Sequence, residues 1–337
     1  MRIALLAPLA LLLACPAPEP DPVVLPAQDL EVEIPAEDLT LEGTLALPQR
    51  IEGEGVPALV LVHGSGPHSR DSIGSGQLNM TFGDIEIALF LDISDAAQEA
   101  GMAVLRYDKR TCNPGNGLCD NGYPASSTDV RVSDFVADAL AAAAWLAEQD
   151  GIDPQAVFVV GHSQGGGLMP TILDGDPNLA GGVSLAGNFR PIDALLRYQL
   201  EFSIELMEDA GLPQSTIDSQ LAVLTAMVEA LEELRAGNFL GTIIGGMPTE
   251  FWEDWFAIGD ARPGLVEEET RPMLAINGDY DWNIPHDPEL LLWEEAGAEA
   301  VLLPCVTHAL NCVTETEIGD QVDAALLEEL SHWVLQQ

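Results

Sequence analysis

Residues 157–165 read Val-Phe-Val-Val-Gly-His-Ser-Gln-Gly, and no other run limits the possible folds of this chain so sharply. Four apolar residues signal a strand covered on both faces, and they pass without a break into Gly-x-Ser-x-Gly. Such a junction turns a strand abruptly into a helix and leaves the serine, Ser163, at the apex with its hydroxyl exposed. Gly161 and Gly165 stand two residues to either side, where the two backbones come too close for a Cβ. In a chain with 31 glycines the motif alone carries little. Its context marks it: a strand before, and Gly166, Gly167, Leu168 and Met169 after it as a packed helix start. A purely structural glycine turn is the competing interpretation, and the partners available to Ser163 decide between the two.

The flanking sequence supplies the sheet that such a junction needs. Residues 31–34 and 39–45 alternate in polarity, giving two leading antiparallel strands. Residues 57–63 form a continuous apolar run, and 102–107, 182–185, 272–276 and 300–303 read as further strands. Residues 85–100 and 130–148 carry helical periodicity. Strands alternating with helices imply an α/β class with a mostly parallel, doubly covered sheet. A chain of 337 residues with 47% hydrophobic content suits one large domain, here 29–337, better than two. Between 188 and 268 no buried strand is legible. That segment holds long helical patterns such as 221–234, then the aromatics Phe251, Trp252, Trp255 and Phe256. Inserted at the carboxyl end of a strand it reads as a helical lid. Most of its aromatics are expected to pack lid against body, with one or two lining an acyl pocket.

Charge excludes whole classes of partner. The chain has 55 acidic residues against 12 basic ones, a net charge of −43, and a single lysine, Lys109. A surface of that sign repels phosphate backbones, so nucleic-acid binding is excluded. The N-terminus reads as a targeting segment: residues 1–14 combine Arg2 with an apolar stretch too short to span a bilayer. It ends in Leu-Leu-Ala-Cys, which resembles the lipobox of bacterial lipoproteins, with Cys15 as the lipidated residue. An ordinary secretory signal is the alternative, and export follows either way. Membrane contact is then expected through the lipid anchor only. Residues 15–28, rich in proline, read as an extended tether. The other four cysteines fall in two close pairs, Cys112 with Cys119 and Cys305 with Cys312. In an exported chain this pattern favours two disulfides over a zinc site, for which no Cys-x-x-Cys spacing is present.

A serine hydroxyl needs a base, and the base an orienting acid. Of six histidines, His162 lies inside the elbow, His63 and His68 flank the loop after the third strand, His286 starts a helix and His332 sits on the last one. His308 follows the last strand and is the candidate base. The acid is expected between serine and histidine. Asp281 is the assignment and Asp279 the alternative, both on the turn after residues 272–276. Two backbone donors are expected for an oxyanion: the amide of Gln164, and that of Ser65 in the loop His63-Gly64-Ser65-Gly66-Pro67.

With these residues the chain resembles bacterial α/β-hydrolases of the esterase/serine-aminopeptidase-like group. Shared features are the His-Gly-Ser-Gly-Pro loop at 63–67, Arg-Tyr-Asp-Lys-Arg at 106–110, the elbow at 161–165 followed by Pro170, and Gly-x-x-Asp at 278–281. The last of these favours Asp281. The likeness runs from about residue 39 to the C-terminus. Two departures fall at the rim: Thr111 and Cys112 open an excursion to Cys119 where the group has a glycine-rich loop, and Thr307 precedes His308 where the group has asparagine. The resemblance implies the α/β-hydrolase fold and hydrolysis of a small carboxylic ester through an acyl-enzyme, with no metal or organic cofactor. Cleavage of short peptides is the alternative within the same chemistry, and a non-catalytic surface-binding lipoprotein the alternative outside it.

Overall fold

A computed structural model describes residues 22–74, 86–112, 119, 129–314 and 316–337. The signal segment and Cys15 lie outside the described residues. Eight strands form one sheet: β1 (Gln28–Pro35), β2 (Thr40–Leu47), β3 (Val56–Val62), β4 (Ala103–Tyr107), β5 (Ile152–His162), β6 (Gly181–Leu185), β7 (Met273–Gly278) and β8 (Glu299–Leu303). Their spatial order is β8-β7-β6-β5-β3-β4-β2-β1. The strands from β8 to β4 pair in parallel, while β2 pairs antiparallel with both β4 and β1.

Period-two alternation divides the apolar strand residues between two cores. On β3, Ala58, Val60 and Val62 face one core and Leu59 and Leu61 the other. The first core is closed by α2 (Val132–Ala147) and α3 (Gln164–Gly175), the second by α1 (Leu89–Glu99) and α8 (Ala324–Gln336). The sheet is therefore covered on both faces, as its continuous apolar runs require. Helix α1 starts later than its periodicity suggests, because Ile87–Ala88 pair with Ile73–Gly74 instead. Val24–Leu25, within the segment read as a tether, pair antiparallel with Arg50–Ile51.

Between β6 and β7 the chain leaves the sheet for α4 (Ile192–Asp209), α5 (Gln214–Arg235) and α6 (Thr249–Glu268), and returns before α7 (His286–Ala296). Phe251, Trp252, Trp255 and Phe256 are buried; the first three pack on one another, Trp252 against Trp255 in a stack, and the Phe256 ring lies under the Arg235 guanidinium at 4.2 Å. Two fully buried charges fasten this excursion at its root. Arg262 donates to the carbonyls of Gly167 at 2.6 Å and Phe189 at 2.6 Å. Glu289 accepts from the amides of Phe189 at 2.6 Å and Arg190 at 3.0 Å and from the Arg190 guanidinium at 2.5 Å. Among the described residues no helix is long and apolar enough to cross a membrane.

Candidate active site

Ser163 sits between the end of β5 and the first residue of α3, at φ 53° and ψ −115°. A non-glycine residue rarely takes positive φ, and the surrounding packing imposes it here. A Cβ on Gly161 would lie 2.2 Å from the Gly165 carbonyl oxygen, and one on Gly165 would lie 2.1 Å from that of Val62. Both positions therefore demand glycine, and the crossing of β5 with α3 is what lifts Ser163 above the sheet. Its amide donates to the Leu185 carbonyl at 2.9 Å, tying the elbow to β6.

The imidazole of His308 reaches this serine from the loop after β8. Its Nε2 lies 3.0 Å from Ser163 Oγ, and its Nδ1 lies 2.9 Å from Asp281 Oδ2. Asp281 is buried, and its other oxygen accepts from the amides of Asn283 at 2.9 Å and Ile284 at 2.8 Å. The three side chains thus form one hydrogen-bonded chain from a fixed carboxylate to a half-buried hydroxyl. Asp279, the alternative acid, is turned elsewhere: its Oδ1 accepts from the Cys305 amide at 2.6 Å.

The loop around His308 is closed by the Cys305–Cys312 disulfide, and Cys112 is joined to Cys119. Inside the former, the Thr307 amide donates to Asn311 O at 2.9 Å, and just past it the Val313 amide donates to Cys305 O at 2.8 Å. Cys305 at φ 61° and Leu310 at φ 64° give the sharp bends that bring His308 back over the sheet.

His162 does more than its place in the elbow suggests. It is buried, and its Nε2 donates to the backbone carbonyl of His308 at 2.8 Å, with the two rings 5.0 Å apart. Burial, helped by the proximity of His308, pushes its pKa down to about 3, so it remains a neutral donor. His63 packs against Phe90 and Tyr107 in the interior. His68 donates from Nε2 to the Ser65 carbonyl at 2.8 Å, its pKa lowered to about 4 by burial and then by Lys109. His332 bonds Gln336 on α8, and His286 begins α7.

The loop carrying Ser65 runs beside the elbow: a Cβ on Gly64 would lie 3.2 Å from that of Ser163. Gln164 opens α3, so its amide is one of the N–H groups a helix leaves without an internal acceptor. Positive helix-end potential adds to the attraction of such a site for an anion. The turn after β4 braces the same loop. Lys109 and the Lys109 amide bond to Gly64 O at 2.5 Å and His68 O at 3.0 Å, and Asp108 accepts from the Arg70 amide at 2.7 Å and its guanidinium at 2.9 Å. His162 and Lys109 lie inside the elbow and the Arg-Tyr-Asp-Lys-Arg run, which assign neither a role, and Arg262 and Glu289 belong to no motif. For Lys109 a second signal was its rarity: one lysine among 337 residues.

Comparison with known proteins gives a consistent result. The alpha/beta hydrolase family profile matches residues 59–337. Esterase EstD of Thermotoga maritima is 29% identical over 315 residues, which cover 89% of this chain and 67% of that protein. Among solved structures, Est1E from Butyrivibrio proteoclasticus superposes with a TM-score of 0.55 at 15% identity, over 91% of this chain and 98% of its own. The esterase domain of a Rhodothermus marinus protein gives 0.53 at 17% identity, over 92% and 98%. At those identities the two structures speak for the fold. The family match extends from the middle of β3 to the final residue, and on it the chain belongs to the alpha/beta hydrolase family.

Proposed function

We propose that the protein is a serine hydrolase that cleaves carboxylic esters through an acyl-enzyme. The observation that carries this reading is the unbroken chain Asp281–His308–Ser163, with links of 2.9 and 3.0 Å. The 29% identity to esterase EstD supports an ester as the bond cleaved. Ser163 Oγ attacks the carbonyl carbon while His308 Nε2 takes its proton. Asp281 holds the Nδ1–H and stabilises the imidazolium. The amides of Ser65 and Gln164 donate to the oxyanion of the tetrahedral intermediate. His308 then returns the proton to the leaving alcohol, and the same base activates the water that releases the acid. Export and anchoring through Cys15 belong to this proposal; the two disulfides support export, and the lipobox-like Leu-Leu-Ala-Cys at 12–15 is the ground for the anchor.

Purified protein offered a panel of p-nitrophenyl acyl esters and aminoacyl-anilides is expected to turn over the esters and leave the anilides. A fluorophosphonate probe is expected to label Ser163. No modification of Ser163 in folded protein sinks the reading, and preferential anilide cleavage replaces it with the peptidase one.

The disulfide around the base leads to a further expectation. Cys305 and Cys312 are separated by seven positions, so their bond restrains the unfolded loop by about 2–3 kcal/mol in the chain-entropy view. A misplacement of His308 by about 1 Å would cost about a hundredfold in rate. Gentle reduction is therefore expected to lower kcat while far-UV circular dichroism stays unchanged. A Cys305→Ser/Cys312→Ser double variant should reproduce the loss, which separates this bond from Cys112–Cys119. Undiminished turnover in that variant refutes the role.

A further inference from the structure

Lys109 is the only lysine of the chain, and it is 4% exposed. Its ammonium donates to the Gly64 carbonyl at 2.5 Å and to Gln164 Oε1 at 3.0 Å, and lies 4.2 Å from the centre of the Phe135 ring. The neighbouring Asp138 carboxylate gives both its oxygens to Arg110, at 2.7 and 2.8 Å. The ammonium is thus buried on two neutral oxygens and a ring face. Burial pushes its pKa down to about 7, with Asp138 pulling the other way. A cation retained in such surroundings points to a use beyond packing, since an apolar side chain would fill the space at lower cost.

Its two partners suggest that use. The peptide group joining Gly64 to Ser65 is planar, with its carbonyl and N–H pointing in opposite directions. Holding the Gly64 oxygen therefore fixes where the Ser65 N–H points. A charged donor on that oxygen also polarises the peptide and strengthens the N–H as a donor. The second partner is the side chain of Gln164, the residue that bears the other oxyanion donor. Lys109 is itself held in register, because its amide donates to His68 O at 3.0 Å while the His68 ring holds Ser65 O at 2.8 Å.

Resting on the serine-hydrolase reading, we propose that Lys109 is the positioning residue of the oxyanion hole, clamping the Gly64–Ser65 peptide and the Gln164 side chain so that both amides aim at the developing oxyanion. Lys109 touches no reacting atom; it acts through the two donors. Its loss should therefore be felt in the transition state and not in ground-state binding.

The test uses the full chain with p-nitrophenyl acetate and a trifluoromethyl ketone as transition-state mimic. Lys109→Met is expected to lower kcat by about 10²–10³, the scale of a lost oxyanion donor, with KM within about threefold. Affinity for the ketone should fall by the same factor. A kcat within about threefold of wild type, or a loss confined to KM, overturns the proposal. Should Lys109→Met fail to fold, wild-type protein labelled with ¹⁵N-lysine carries one Nζ signal to follow. Formation of a phosphonyl adduct on Ser163 is expected to shift that signal, and an unmoved signal overturns the proposal. A wild type that neither hydrolyses esters nor labels at Ser163 sinks both readings, whereas an active wild type with an equally active Lys109→Met sinks this one alone.

Discussion

Ser163→Ala is expected to remove hydrolysis of a short-chain ester, by about 10⁶-fold in kcat on the scale of serine proteases stripped of their nucleophile. The substitution deletes one oxygen whose hydrogen bond in the structure is to His308 Nε2 at 3.0 Å. The backbone contacts that shape the elbow survive it: the residue 163 amide still donates to Leu185 O at 2.9 Å, and its carbonyl still accepts from the Gly167 amide at 3.0 Å. Alanine bears the positive φ at a cost like that of serine, so the melting temperature should change little. His308→Ala should be nearly as damaging. The double variant should be no worse than either alone, because groups that act as one unit are not additive. Turnover above a hundredth of wild type in pure Ser163→Ala protein would contradict the proposed nucleophile.

Asp281→Asn has the next largest expected effect after the Ser163 and His308 variants, and its reason is a tautomer. The Asp281 Oδ1 accepts two backbone amides, from Asn283 and Ile284, so an asparagine there keeps its oxygen on them. Its NH2 must then face His308 Nδ1, which in the native protein lies 2.9 Å from an acceptor oxygen. To meet a donor, Nδ1 gives up its proton and Nε2 carries it instead. A protonated Nε2 cannot take the serine proton, and kcat should fall by about 10⁴ with the fold intact. Asp279→Asn can still accept from the Cys305 amide and is expected to stay within about threefold of wild type. The reverse pattern, a crippled Asp279→Asn beside a near-normal Asp281→Asn, would assign the acid to Asp279.

These two aspartates show where reading a sequence stops. They stand two residues apart on one turn, and only the resemblance at Gly-x-x-Asp, 278–281, favoured Asp281 over Asp279. Their difference is one of direction: the Asp281 side chain turns under His308, and that of Asp279 turns to the backbone at Cys305. His162 shows the same limit from the other side. Its position inside the elbow was plain, but its bond to the His308 carbonyl, 146 residues away, was not.

What the sequence determined by itself was local. Alternating polarity marked the two leading strands, and apolar runs marked the strands from β3 to β8, with residues 57–63 read as covered on both faces. The glycines around Ser163 announced a crossing too tight for side chains, because steric exclusion acts within a few residues. Tertiary structure decided the rest. Strand order sets β5, β6, β7 and β8 side by side with their carboxyl ends together, and only then does His308 meet Ser163 across 145 positions and Asp281 across 27. The burial of Lys109 on Gly64 and Gln164, 45 and 55 positions away, and of Arg262 on Gly167, 95 positions away, has the same origin. A periodic pattern tells a residue which face it belongs to. It carries no record of which distant carbonyl will be waiting there, since that depends on how the whole sheet closes.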